Sequence, residues 1–321
     1  MRCFLHIAVL LLCVTACTGN RYKPSPAGSM FEVFVASTTD DGEAVSLVCS
    51  ELSMNIGGLP QAEPQFDAVR MSYEEYESGI DKRSTVLIEI DPARNASPEV
   101  TWVSGDGMMR IFVRAGSRES LAEGIDSIGN IVRAKLQSHE MAIAAEQLRD
   151  RHNPKAEQKV WETTGIEALI PPDLMKSKQG EAFIWLSNDA LQGMKNICIY
   201  SYPGTVLTPA KALTMRDSVL GKNIVGETAG MRMATVAKTV TTKITRIGGN
   251  EVMVQRGLWE MTGDAMGGPF VSVSRTDPAN NRIVVKEAFV YAPERRKRNI
   301  LKPLEAAIFT EKENRNDKYN K

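Results

Sequence analysis

The chain has few of the residues from which active sites are usually built. Three histidines occur in its 321 residues. Only His139 and His152 lie beyond the N-terminal leader, so neither an HExxH pair nor another multi-histidine metal cluster with ligand spacing is present. A Gly-x-Ser-x-Gly elbow and a P-loop are also missing, which removes the common signatures of serine hydrolases and nucleotide binders. No charge of one sign dominates: 39 lysines and arginines balance 39 aspartates and glutamates, leaving no global field to attract nucleic acid or acidic polymers. After residue 17 no apolar run approaches the roughly 20 residues needed to span a bilayer. Five cysteines are present, three of them within the first seventeen residues.

Those seventeen residues are the most specific part of the sequence. Arg2 precedes Phe4 to Val14, an apolar run long enough for the hydrophobic region of an export signal and too short for a membrane span. The run ends in Val14-Thr15-Ala16-Cys17, which resembles a bacterial lipobox, with small residues before an obligatory cysteine. The resemblance implies that residues 1–16 are a removable signal peptide and that Cys17 becomes an acylated N-terminus. Each buried CH₂ of such acyl chains contributes about 0.8 kcal/mol of membrane affinity. Thr18 to Ser29, polar and carrying Pro24, Pro26 and Gly28, reads as a tether. Cys49 and Cys198 then remain as the only free thiols, in a compartment that favours disulfides. They could pair, or each could be a small buried hydrophobe, since both lie among apolar residues.

The body, from 30 onward, is expected to be α+β, with antiparallel sheets covered by a few helices in two subdomains, 30–154 and 155–310, before a polar tail at 311–321. In the first, strands are expected at Phe31–Val35, Thr85–Ile90, Val100–Val103 and Met109–Val113. Apolar spacing predicts a helix over Gly42–Met54, and a Ser72 capping box predicts a short one on Tyr73–Ser78. Ser117 caps a long helix running to Asn153-Pro154, with His139 on its apolar stripe as a boundary histidine. In the second, strands are expected at Ile166–Ile170, Ala182–Leu186 and Asn196–Tyr202, followed by a helix from Thr208-Pro209 to Leu220. An antiparallel meander then occupies Val236–Ala292, and a helix over Asn299–Phe309 closes it.

Candidate functional positions are sparse. The densest stretch, Arg256 to Phe270, joins two strands through Gly263, Gly267 and Gly268. It can be read as a recognition edge, with Trp259 and Met266 giving apolar contact and Asp264 and Arg275 fixing a polar ligand. It can equally be a turn whose glycines supply positive φ, with Trp259 in the core. Arg295-Arg296-Lys297-Arg298 reads as a solvated loop or as a contact for acidic lipid headgroups. Tyr200, Tyr202 and Tyr291 are candidates for an aromatic surface or for core filler.

Several blocks taken together resemble domain-of-unknown-function family 4837, a set of Bacteroidetes lipoproteins. They are Gly58-Leu59-Pro60-Gln61-Ala62-Glu63-Pro64, Leu169-Ile170-Pro171-Pro172, Ile199-Tyr200-Ser201-Tyr202-Pro203, Met215 to Leu220, Arg256 to Arg275 and Val290-Tyr291-Ala292-Pro293. The resemblance covers nearly the whole mature chain and implies no catalytic residue, metal or cofactor. It does bear on location, because surface-exposed lipoproteins of that group carry acids after the acylated cysteine. Thr18 to Lys23 contains none, which implies an outer-membrane lipoprotein facing the periplasm. Asp126-Ser127-Ile128 and Asp217-Ser218-Val219 look like the short O-glycosylation pattern of the same group.

The expected role is therefore that of a lipid-anchored envelope protein, a non-enzymatic binding or assembly component. Its partners would be the membrane, through the lipid, and an envelope protein or glycan, with no nucleic acid. Two alternatives stand beside this. An envelope hydrolase acting on glycan or lipid would use carboxylates such as Asp264 with Glu260 or Glu287 and needs a concave pocket that gathers them. A lipid-binding protein needs a large apolar cavity.

Overall fold

The structure is a computed structural model that describes residues 26–79, 81–94 and 97–311. The leader, the lipobox with Cys17 and most of the tether and polar tail lie outside the described residues. The chain is α+β, as expected, and contains two sheets.

The first sheet holds five strands: β1 (Glu32–Ser37), β2 (Asp67–Arg70), β3 (Ser84–Ile90), β4 (Glu99–Gly105) and β5 (Met108–Ala115), in the order β2-β1-β3-β5-β4. Here the expectation of antiparallel pairing needs correction. β1 runs parallel to both β2 and β3, β3 runs parallel to β5, and only the edge strand β4 is antiparallel. The sequence reading missed β2, a four-residue strand without hydrophobic alternation. That omission hid the role of α1 (Gly42–Leu52) as the crossover between two parallel neighbours. α2 (Tyr73–Glu77) forms as expected, with Ser72 and Glu75 making a reciprocal capping box.

Ser117 does cap a helix, but Gly124 breaks it into α3 (Arg118–Glu123) and α4 (Ile125–Asp150). Together with α1 they cover one face of the first sheet. Val33, Val35, Val86, Ile88, Ile111 and Val113 from the strands meet Val48, Leu52, Leu121, Val132 and Leu136 from the helices. Asn153-Pro154 ends α4 and also starts α5 (Pro154–Thr164), where Asn153 caps the amide of Ala156 and proline occupies the first turn. α5 is a second element that the sequence reading missed. The strand expected at Ile166–Ile170 is instead an irregular buried segment. The Glu157 carboxylate accepts from the Ile170 amide, so this stretch satisfies its backbone without a ladder.

The second sheet comprises β6 (Lys176–Gly180), β7 (Phe183–Ser187), β8 (Met194–Pro203), β9 (Met233–Ile247), β10 (Asn250–Met261), β11 (Gly267–Asp277) and β12 (Arg282–Tyr291). Its order is β6-β7-β8-β12-β11-β10-β9, and every pairing is antiparallel. One face packs against α5 and α7 (Arg298–Phe309) through Leu301, Leu304 and Ile308. The other packs against α6 (Pro209–Asn223) around Phe183, Tyr200, Leu220, Trp259 and Phe270.

The two sheets are joined at the start of α7, and here the reading of the 295–298 cations as solvated or lipid-facing holds for the exposed Arg295 and Arg296 but is overturned for the other two. Lys297 and Arg298 are buried. The Glu63 carboxylate, itself buried, accepts from the Lys297 amide at 2.7 Å and the Arg298 amide at 2.9 Å. It thus supplies, from a loop attached to the first sheet, the N-terminal cap that α7 lacks on its own chain neighbours. Arg298 donates to the Pro64 carbonyl at 2.6 Å, pairs with Asp67 and lies over the Phe31 ring. Lys297 Nζ donates to Gln61 Oε1 at 2.9 Å, and the exposed Arg296 reaches Asp67 at 2.8 Å.

Replacing Glu63 by alanine leaves two buried helix-terminal amides without an acceptor. Glu63→Ala is therefore expected to destabilise the protein by about 2–4 kcal/mol and Glu63→Gln, which keeps one acceptor, by roughly half that. Urea denaturation followed by circular dichroism measures both. A Glu63→Ala protein within about 0.5 kcal/mol of wild type would show that the joint does not depend on this cap.

Candidate functional site

The residues singled out in the sequence do not assemble into one site. Trp259 is in the core, its indole N–H donating to the Val290 carbonyl at 3.2 Å and its ring edge-on to Phe289. Met266 packs partly against the same cluster. Asp264 stands on the exposed turn after β10 and accepts from the neighbouring Ala265 amide. Arg275 lies near the far end of β11, where it pairs with Val284, whereas Gly268 at the turn end pairs with Trp259. About eight residues at roughly 3.3 Å each separate Arg275 from the turn, so it cannot share a small ligand with Asp264. Of the three glycines, only Gly263 has a positive φ. Gly268 serves close packing, since a Cβ there would lie 2.0 Å from the Val290 carbonyl oxygen.

The carboxylates named for a hydrolase differ in their surroundings. Glu260 is exposed, whereas Glu287 is wholly buried and bound by Arg216 through two bonds of 2.8 and 3.0 Å. Arg216 also lies 3.9 Å over the Phe270 ring and donates to Thr235. Cys49 and Cys198 are free thiols in different hydrophobic clusters, so the possible disulfide is not formed. Tyr200 and Tyr202 are buried in the α6 face. His139 is half-buried on α4, at a boundary as expected, with no partner on Nε2, and burial pushes its pKa down. Ser127 and Ser218 of the glycosylation-like tripeptides lie on α4 and α6. Among the described residues, no group of three or more His, Cys, Asp or Glu could hold a metal ion, and no helix is long and apolar enough to cross a membrane.

Instead, a groove of about 520 Å³ lies between α4 and the α7 face of the second sheet. The sequence reading did not anticipate it. α4 contributes Ser138, Met141, Ala142 and Ala145, β9 contributes Thr241, Lys243 and Thr245, and α7 contributes Ala306 and Phe309. It exists because α7 covers the central strands of this face, leaving β9 and β10 opposite the C-terminal half of α4. β9 is the edge of the sheet and, among the described residues, no strand other than β10 pairs with it. Beside the groove, no described residue takes the backbone donors and acceptors of its other edge.

The groove floor is charged, with two cations gathered on one carboxylate. Arg256 on β10 donates through both terminal nitrogens to Glu305 on α7, and Lys302 Nζ lies 3.1 Å from Glu305 Oε2. Burial pushes the Glu305 carboxyl up, but Lys302 and Arg256 together outweigh it and hold the carboxyl below its ordinary value. Burial also pushes the Lys302 ammonium down. A carboxylate clamped by two cations is a poor proton donor and a weak base, so this triad is suited to fixing α7 on the sheet rather than to general acid–base chemistry. The signal for it was the glutamate at position 305 on the apolar stripe of α7, which has meaning only beside Arg256.

Residues 153–310 match the family model described as Domain of unknown function (DUF4837), and through this segment the chain belongs to that family. The match runs from the cap of α5 to the end of α7. It includes the whole second sheet and both charged groups just described, and it leaves the first sheet and the Gly58–Pro64 block outside. No curated protein and no solved structure matches the chain.

Arg275 has a different consequence. It faces Lys286 of β12 beside Phe309, where burial holds the Lys286 ammonium at about 8 against its ordinary 10.5; Glu311 pulls it up and Arg275 pushes it further down. Between these two values the unfolded chain keeps a proton that the folded chain has released, so stability from this group rises with pH from about 8 to 10.5. Lys286→Met is expected to flatten that rise. Unfolding free energies from urea titrations at pH 7.5, 9 and 10 check it, and an unchanged slope in the variant would refute the assignment.

Proposed function

We propose that this chain is a lipid-anchored protein of the cell envelope, facing the periplasm, which binds an extended segment of a partner protein in the groove between α4 and the second sheet. The observation that carries the reading is the free edge of β9 running beside a groove with small apolar and hydroxyl side chains. Such an edge can accept an added strand, with backbone hydrogen bonds supplying affinity and alternate side chains entering the groove. Thr241, Lys243 and Thr245 point into the groove at the spacing that a paired strand would read. The anchor reading is supported by Val14-Thr15-Ala16-Cys17, and the periplasmic side by the absence of acids in Thr18 to Lys23. A binding role is further supported by Glu287, which is buried and held by Arg216, so that the hydrolase reading keeps only Asp264 and Glu260, both exposed, on the turn after β10 and at the end of that strand.

Lipidation is tested by metabolic labelling with a fatty acid. Wild type is expected to take up label and partition with membranes, and Cys17→Ala to do neither. Equal labelling of the two proteins would overturn the anchor.

The groove is tested with a photoreactive phenylalanine analogue at Lys243, which points into it. Irradiated cells are expected to yield one saturable adduct with an envelope protein, lost when Ala142→Trp fills the groove without changing the melting temperature. An analogue at Leu191, 94% exposed and remote from the groove, should not reproduce it. No adduct at 243, or one indifferent to Ala142→Trp, would rule the groove out as the binding site.

A further inference from the structure

A second cavity, of about 490 Å³, opens at the far end of the α6 face of the second sheet. Three elements enclose it: the C-terminal half of α6, the turn between β6 and β7, and the Asn280–Arg282 turn that leads into β12. Its floor includes Tyr202, the penultimate residue of β8, which is 4% exposed. The Tyr202 hydroxyl is buried and has no hydrogen-bond partner. A buried hydroxyl left unpaired costs about 1–3 kcal/mol, and native proteins rarely leave one so.

The charges around the cavity are already balanced. Arg282 is held by Asp277 at 2.8 Å and by the carbonyls of Thr164 and Gly165, and Lys222 faces Glu181 at 3.5 Å. The Arg282 guanidinium is bonded through all three nitrogens, and the exposed Lys222–Glu181 pair adds no net charge. Hydroxyl and amide groups remain, from Ser201, Ser218 and Asn281, while Val219 and Pro203 supply apolar wall. Groups that both donate and accept, set around a small apolar surface, are what a neutral polyhydroxylated ring requires. The volume suits one or two sugar rings.

We propose that this cavity is a binding site for a neutral saccharide unit, with the Tyr202 hydroxyl as the buried hydrogen-bonding anchor and Asn281 and Ser218 at the rim. The site is separate from the groove beside β9 and stands or falls without it. Asn281 sits at the rim because its φ of 50° turns the chain into β12, a left-handed conformation that asparagine tolerates better than most residues.

Saturation-transfer NMR on the full chain tests the proposal with N-acetylglucosamine, galactose, mannose and maltose as neutral probes. Glucose 6-phosphate serves as a charged probe and glycerol as a small polyol. At least one neutral saccharide is expected to bind saturably and to lose tenfold or more in affinity in Tyr202→Phe. That variant should melt at or above the wild-type temperature, because it removes an unpaired buried hydroxyl. Asn281→Gly, which keeps the left-handed turn and deletes the amide, should weaken the same saccharide severalfold and serves alone if Tyr202→Phe fails to fold. The proposal is overturned if no neutral saccharide binds, if binding survives both substitutions, or if glucose 6-phosphate or glycerol binds as well as the best neutral sugar.

Discussion

The carboxylate of Glu63 is the contact on which the arrangement of this molecule depends. A helix begins with amides that have no partner within the helix, and α7 begins with Lys297 and Arg298 buried, where water cannot serve them. Both amides are answered by a residue 234 positions away in sequence, on a loop that leads into β2. The same loop sends Leu59 onto the core of the second sheet and brings Gly58 against the Cβ of Arg256. α7 can therefore complete its first turn only when the first sheet is docked. Because α7 and α4 form two sides of the groove, its width is set by this cap and not by either sheet alone.

The second sheet carries one buried ionic group on each face. Arg216–Glu287 fixes α6, and Arg256–Glu305–Lys302 fixes α7. Buried ion pairs of this kind contribute little net stability compared with apolar residues of equal size, yet removing one partner is costly because the other is left charged and dry. Their effect is on geometry. An apolar helix face can slide along a sheet by a turn at small cost, whereas an arginine that must reach a carboxylate on a particular strand cannot. Both arginines and both carboxylates lie within the family segment, 153–310. The apparent recognition stretch from Arg256 onward thus takes its density from structural duties: Arg256 holds the floor of the groove, Trp259 fills the α6 face, and Gly268 admits the Val290 carbonyl.

The parts of the fold legible in the sequence were those set by local chemistry. The Ser72 and Thr208 caps, the Gly248-Gly249-Asn250 turn and the alternation of β10 to β12 each depend on residues within a few positions, and each formed where expected. What failed depended on distance. Parallel pairing of β1 with β3 joins Phe34 to Thr85, and nothing in either strand announces its partner. Asn153-Pro154 reads as a stop until the following apolar positions are recognised as helical, because the same dipeptide ends one helix and begins the next. Lys297 and Arg298 look solvated because Glu63, Gln61 and Asp67, which bury and pair them, are far away in sequence. The groove was illegible for the same reason, since each of its walls has a distinct position in the chain and no motif of its own.

The first sheet shows why the groove, and not the sheet's broad second face, is the surface suited to a partner. A largely parallel sheet is normally covered on both sides, but here, among the described residues, one side carries only the five-residue α2. Its aromatic residues are shielded without a helix layer. Lys82 lies 4.7 Å over the Phe34 ring and Arg114 lies 5.5 Å over Phe112, with Arg114 in turn held by Glu89. Aliphatic stems cover the rings and the charged heads stay in water. A partner docking there would have to desolvate those heads and displace contacts already made. At the groove, the β9 edge presents backbone groups that no other described strand has taken, so a partner strand adds hydrogen bonds without breaking any.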